Sequence, residues 1–199
     1  MPPLAPADPP DELAIEQRYS ETQRRTIDAA MELFAEHGVS GTSFQMIADA
    51  VGVTKAAIYH QFKTKDAIVL AVAEVGLSPL EDALAEAELQ PTPEAQRELL
   101  LTRVVDLAVS RRRWVNALQG DPVMIRLLGT HDPFADLMAR VYMVLMGLAE
   151  DGPAERMRIA IISAAIGAAI VHPLVVDMDD DTVRAELLAV TRRLFDLPD

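Results

Sequence analysis

Between Ser20 and Thr64, hydroxyl residues stand repeatedly at the heads of short apolar runs of helical period, and glycine stands at two of the run ends. Ser20 with Gln23, and Thr42 with Gln45, fit the capping-box pattern, in which a hydroxyl and an amide three residues on satisfy each other's backbone N–H groups. Thr54 and Thr64 open two further segments. Gly38 and Gly52 follow the first two runs, where a left-handed residue commonly ends a helix. The apolar faces are Ile27, Ala30, Met31 and Phe34, then Ile47, Ala50 and Val51, then Ile58 and Phe62, then Ile68, Ala71, Val72 and Val75. Such a stretch folds as small packed helices and leaves no room for a strand, because no part of it alternates with period two.

The rest of the 199-residue chain keeps the helical period. Ser78-Pro79, Thr92-Pro93, Asp121-Pro122, Asp132-Pro133 and Gly152-Pro153 each place a capping-type residue before proline, a pattern that predicts helix starts. Longer helices are expected over 93–112, 133–149, 153–175 and 180–196. About half of the chain is hydrophobic, enough for a substantial core. The fold class is therefore all-α. Residues 1–17 form a Pro-rich acidic tail with no basic or apolar region of the signal-peptide kind. Residues 18–64 form a helix-turn-helix domain and 65–199 a C-terminal helical domain. The chain has no cysteine, which excludes disulfides and thiolate chemistry and fits a cytoplasmic protein.

Residues 159–176 form an apolar run that raises a transmembrane alternative. His172-Pro173 interrupts it, no second run accompanies it, and alanine is frequent in it. A helix buried in a bundle has the same pattern. A membrane-associated helical protein is the remote alternative.

The charge pattern is uneven. The formal net charge is -13, yet between Gly41 and Lys65 the charged residues are Lys55, Lys63 and Lys65 against Asp49 alone. Only Gly52-Val53 separates the second and third short helices, a helix-turn-helix spacing. Ala48 lets the helices approach, Gly52 takes the turn and Ile58 locks the third helix. A recognition helix aims its N-terminal side chains at bases and phosphates. That end carries Thr54, Lys55 and Ala56, with Tyr59 and His60 one turn on. Lys65 opposes the dipole of its own helix, and a phosphate would account for it. Thr42, Ser43, Thr54, Tyr59, His60 and Lys65 are candidates for phosphate contact, and Gln45 and Lys55 for base reading. Each has a structural alternative: Thr42 and Thr54 as caps, Tyr59 half-buried, Lys63 as a solvated charge.

The stretch 29-AAMELFAEHGVSGTSFQMIADAVGVTKAAIYHQFKTKDAI-68 resembles the TetR family of transcriptional regulators, with LFAEHG, TS, IADAVGV and IYHQFKTK in register. The resemblance covers the N-terminal domain; the remainder agrees in layout. It supports DNA contacts by Thr42, Ser43, Thr54, Lys55, Tyr59, His60 and Lys65. It implies a homodimeric repressor, released from a palindromic operator when a small molecule binds the C-terminal domain, and a dimer through the helices near 153–175 and 180–196. A co-repressor or activator is the alternative within the family. The first helix departs from the family pattern in being acidic, with Arg24 and Arg25 as its clear cations. Ser163 with Gly167, and Ala164 with Ala168, offer small-residue spacings for a partner helix.

Trp114, Met124, Phe134, Met138, Tyr142 and Met146 are candidates for an apolar ligand pocket, with ordinary core packing as the alternative. His37, His131 and His172 stand singly near helix ends or in loops, and no zinc-ligand spacing occurs. The arginines of 111-RRRW-114 point about 100° apart and are expected to pair with surface acids. There is no glycine-rich phosphate loop and no nucleophile elbow, so no enzyme, cofactor or metal is expected.

Overall fold

The computed structural model describes residues 18–146 and 152–194. Among them are ten helices: α1 Glu21–Gly41, α2 Phe44–Val51, α3 Lys55–Gln61, α4 Lys65–Glu88, α5 Pro93–Ser110, α6 Arg112–Gly120, α7 Pro122–Leu128, α8 Asp132–Met146, α9 Pro153–Ala169 and α10 Asp180–Leu194. No strand occurs among the described residues, so the class is all-α. The proposed tail at 1–17 lies outside the described residues.

Helix starts follow the local chemistry. Ser20 Oγ accepts from Gln23 N while Gln23 Oε1 accepts from Ser20 N, a complete capping box. Thr54, Thr64 and Thr92 each accept from the amide three residues on. Asp121 Oδ1 accepts from both Val123 and Met124 N at the head of α7. The second capping box does not form. Ser43 caps α2 by accepting from Met46 N, one residue later than expected. Thr42 Oγ1 instead donates to Leu33 and Gly38 O, and Gln45 Nε2 donates to Asp49 Oδ1 at 2.7 Å.

Pro79 does not start a helix. It lies inside α4. A proline there removes the amide that would serve the carbonyl four residues back, Val75 O. Ser78 Oγ donates to that carbonyl at 3.1 Å. The neighbouring hydroxyl thus replaces the missing donor, and the helix continues. The apolar run 159–176 is not one helix either. α9 ends at Ala169, and residues 170–178 form turns and bends around His172-Pro173. Pro173 has no N–H to offer the Ala169 carbonyl four residues back, so the helix does not run on through it. Among the described residues no helix is long and apolar enough to cross a membrane.

Two cores result. Ile27, Phe34, Ile47, Ile58 and Ile68 fill the N-terminal core, together with Trp114 and Met124 from α6 and α7. Leu84, Leu100, Leu101, Val105 and Ile170 sit in the second, between α4, α5, α8, α9 and α10. α4 belongs to both: its first turns carry Ile68, Val69 and Val72 into the N-terminal core, and Leu77, Leu80 and Leu84 into the other. α10 is tied to α5 by the Arg184–Asp106 and Arg192–Glu98 ion pairs. Both pairs are partly exposed and screened by solvent, so apolar burial holds the body together.

Trp114 lies against Gly76 of α4. A Cβ built on Gly76 would fall 2.6 Å from the indole ring. Gly76→Ala is expected to gain about 1 kcal/mol of helix propensity but to meet overpacking of about 1–3 kcal/mol, for a net loss of up to about 2 kcal/mol. Urea unfolding measures the loss, and the emission of Trp114, the single tryptophan of the chain, reports the displaced ring.

Candidate nucleic-acid interface and central cavity

α2 and α3 meet at Gly52, whose φ of 79° is left-handed. Gly52 N and Val53 N both donate to Ala48 O. No atom lies within 4 Å of a Cβ placed at Gly52, so glycine is needed there for its backbone angle and not for space. Ala48 and Ile58 are fully buried between the two helices. α1 braces the pair from behind: Arg25 Nη2 donates to Val51 O at the end of α2, and Thr26 Oγ1 donates to Gln61 Oε1 at the end of α3. Tyr19 OH donates to Glu74 Oε2 at 2.5 Å, fixing the start of α1 on α4. Burial, reinforced by that bond, pushes the phenol pKa above its ordinary value, so the donor stays protonated.

This bracing leaves Ser43, Gln45, Thr54, Lys55, Ala56, Tyr59 and His60 exposed on α2, the turn and α3. The ring of Tyr59 stacks on Phe44, with centroids 4.3 Å apart and planes 4° from parallel. Lys55 Nζ lies 5.9 Å from the Tyr59 centroid, at the edge of cation–π range. Phe44, Tyr59 and Lys55 therefore form a layered unit across the two helices. Nothing in the sequence spacing of Phe44 and Tyr59 shows that the two rings meet.

Two expected contacts are placed differently. Thr42 is 1% exposed, and its hydroxyl serves α1 carbonyls. Lys65 Nζ donates to Val39 O at 2.9 Å. An internal carbonyl thus accounts for a lysine at the head of α4 without a phosphate. Val39 N in turn donates to Asp121 Oδ2 at 2.8 Å. Gly38, with φ 71°, breaks the helical geometry just before, so the Val39 amide points to the body.

A cavity of about 410 Å³ opens among α4, α5, α6, α8 and α9. Trp114, Phe134, Met138, Tyr142 and Met146 all line it. Met124 does not: it is fully buried in the N-terminal core, because α7 turns that face toward α1 and α4. Gln119 and Ser163 also line the cavity and were not foreseen as lining residues. Ser163 Oγ donates to Tyr142 OH at 3.2 Å, and Gln119 Nε2 donates to Ser163 O at 3.4 Å. A Cβ on Gly167 would stand 1.8 Å from Gln119 Oε1, so the small residue at 167 receives Gln119 of its own chain. The Ser163–Gly167 spacing is thereby used internally. Ala164 and Ala168 remain exposed beside Ile161, and Val190 and Leu194 are exposed on α10.

The arginines of 111–113 diverge as expected. Arg112 pairs with Asp180, Arg113 lies 3.9 Å from Glu36, and Arg111 Nη1 donates to Gly76 O. His172 Nδ1 accepts from Leu174 N. Among the described residues no group of three or more His, Cys, Asp or Glu side chains is arranged to hold a metal ion.

Residues 27–72 match the family model described as bacterial regulatory proteins, tetR family. The HTH-type transcriptional regulator AcrR of Shigella flexneri is 33% identical over 99 residues, covering 49% of this chain and 46% of that protein. SrpR of Pseudomonas putida, also an HTH-type transcriptional regulator, is 43% identical over 61 residues, covering 31% and 29%. The chain spans less than half the length of these curated relatives. Solved structures extend the likeness in fold. A bacterial regulatory protein of the tetR family from Rhodococcus RHA1 superposes with a TM-score of 0.66 at 20% identity, covering 91% of this chain and 100% of that one. The transcriptional regulator FadR from Bacillus subtilis, in complex with stearoyl-CoA, gives 0.66 at 18%, covering 87% and 95%.

Asp121→Ala is expected to remove a helix cap worth about 1 kcal/mol and to strand the Val39 N–H at a cost of about 1–3 kcal/mol. Chemical denaturation should show a loss of about 2–4 kcal/mol, and Asp121→Asn, whose one side-chain oxygen can serve either the α7 cap or Val39 N–H but not both, should recover only part of it.

Proposed function

The chain belongs to the TetR family of bacterial regulatory proteins through its N-terminal domain, and from that premise we propose that it is a cytoplasmic DNA-binding transcriptional regulator, a homodimeric repressor released from a palindromic operator by a small molecule. It is a binding protein with no catalytic step. The observation that carries the reading is the exposed α2–α3 unit. Its lysine, hydroxyls and histidine lie on one helix-turn-helix, in a chain whose acids lie mostly elsewhere.

In this proposal Lys55 and Gln45 reach base edges, and Ser43, Thr54, Tyr59 and His60 hold phosphates, with Ala56 leaving space for close approach. The Phe44–Tyr59–Lys55 layer pre-orders the reading side chains. Lys65 keeps two N–H donors beyond its bond to Val39 O, so a phosphate contact there is compatible with its internal role. Thr42 acts behind the interface, by fixing the end of α1. Two copies pair through the exposed faces of α9 and α10, which places two α3 helices about one helical turn of DNA apart, on the order of 34 Å.

The cavity is the effector site of this reading, and the stearoyl-CoA complex of the Bacillus subtilis neighbour supports a ligand-responsive body. α4 transmits the signal. Leu77 and Leu80 line the cavity, while Lys65 starts the same helix beside the DNA-binding unit, about 18 Å away at helical rise. A ligand that tilts α4 changes the separation of the two α3 helices. Repression relieved by ligand is the mode proposed; a ligand that strengthens DNA binding would appear in the same assay with opposite sign.

Selection from a random DNA pool, then affinity against salt, tests the DNA reading. A palindrome with steep salt dependence is expected, and Lys55→Ala should cost about 1–3 kcal/mol and relax specificity at one position. No enrichment at low salt from folded dimer would overturn it. For the dimer, light scattering at micromolar concentration should give twice the chain mass, and Ile161→Arg with Ala164→Asp should give monomers that retain helical content.

A further inference from the structure

The central cavity has a sharper chemical character than its size requires. Among the described residues its walls contain no Asp, Glu, Lys, Arg or His. They are aliphatic and aromatic side chains with one polar corner, where Tyr142, Ser163 and Gln119 meet. That corner is connected but not saturated. Ser163 Oγ and Tyr142 OH share one hydrogen bond, which leaves one of the two hydroxyl protons available to a ligand. Gln119 spends an N–H on Ser163 O and lies against Gly167. Gln119 is exposed, Tyr142 and Ser163 are half-buried and Trp114 is buried, so the polar corner reaches solvent. At about 30 Å³ per water-sized group, 410 Å³ holds on the order of fourteen non-hydrogen atoms.

We infer that the cavity takes an uncharged, largely apolar molecule of about that size with a single hydroxyl- or carbonyl-type end, which the Tyr142–Ser163–Gln119 corner recognises. This rests on the reading of the cavity as the effector site. An ion drawn wholly into these walls meets no opposite charge among the described residues, and an unpaired buried charge is strongly disfavoured. A neutral ligand keeps its polar end bonded at the corner and buries the remainder against Leu77, Leu80, Met138 and Trp114.

Trp114 makes the test specific to this site, because it is the single tryptophan and lies in the wall. The full chain is titrated at pH 7.5 with 1-decanol, decanoate and decyltrimethylammonium, probes of one chain length and three charges, while Trp114 emission is followed. Decanol is expected to bind saturably and at least about tenfold tighter than either ion. Tyr142→Phe should weaken decanol about threefold to tenfold, the share of one hydrogen bond. Met138→Arg should reverse the preference toward decanoate; if that variant does not fold, the wild-type comparison decides alone. Equal or tighter binding of either ion, or no saturable response to any probe, overturns the proposal. Operator affinity measured in the same samples separates the two readings. Selective decanol binding that leaves DNA affinity unchanged upholds the ligand class and overturns the regulatory role.

Discussion

The backbone of Val39, the N–H of one peptide unit and the carbonyl of the next, joins the two halves of this molecule. Its N–H is held by Asp121 from the head of α7 and its carbonyl by Lys65 from the head of α4. The left-handed angle at Gly38 turns that amide out of its own helix. A Cβ on Gly38 would also stand 3.1 Å from Asp121 Oδ2, so glycine answers both a backbone and a spatial requirement. Both partners are charged, which makes these hydrogen bonds stronger than ordinary backbone ones. These two bonds anchor the end of α1, the helix that packs against both α2 and the body.

A second connection runs beside it. α6 presents Trp114 to the N-terminal core and to the cavity at once, resting on Gly76 of α4. Gln119 lies at the far end of the same short helix, and Asp121 follows one residue after it. The polar corner of the cavity and the Asp121–Val39 bond are thus two residues apart, at and just beyond the end of α6. α4 and α6 are both cavity walls and both supports of the helix-turn-helix. The walls of the cavity and the supports of the α2–α3 unit are therefore in part the same two helices.

Much of this was legible as local chemistry. Ser20, Thr54, Thr64, Thr92 and Asp121 cap helices because a short oxygen-bearing side chain meets amides two or three residues away, an interaction within one turn. The misread positions are those where a distant or competing partner decides. Thr42 gives its hydroxyl to α1 carbonyls, so Ser43 becomes the cap. Pro79 is carried through α4 by the Ser78 hydroxyl. Met124 faces the N-terminal core although its neighbours in composition face the cavity. Gly167 receives Gln119 from another helix.

The sequence by itself determined the helical class, the turn at Gly52, the buried Ala48 and Ile58, and the concentration of lysines where acids are scarce. These follow from spacing, side-chain size and charge along the chain, all of which act over a few residues. Only the tertiary structure decided which side chains meet: Tyr59 on Phe44, Lys65 on Val39, Asp121 on Val39, and Tyr142 with Ser163 and Gln119 at one corner of an otherwise apolar cavity. The reason is physical. Helical periodicity sets which face a residue occupies, but packing of one helix against another sets which residues on the two faces come within bonding distance.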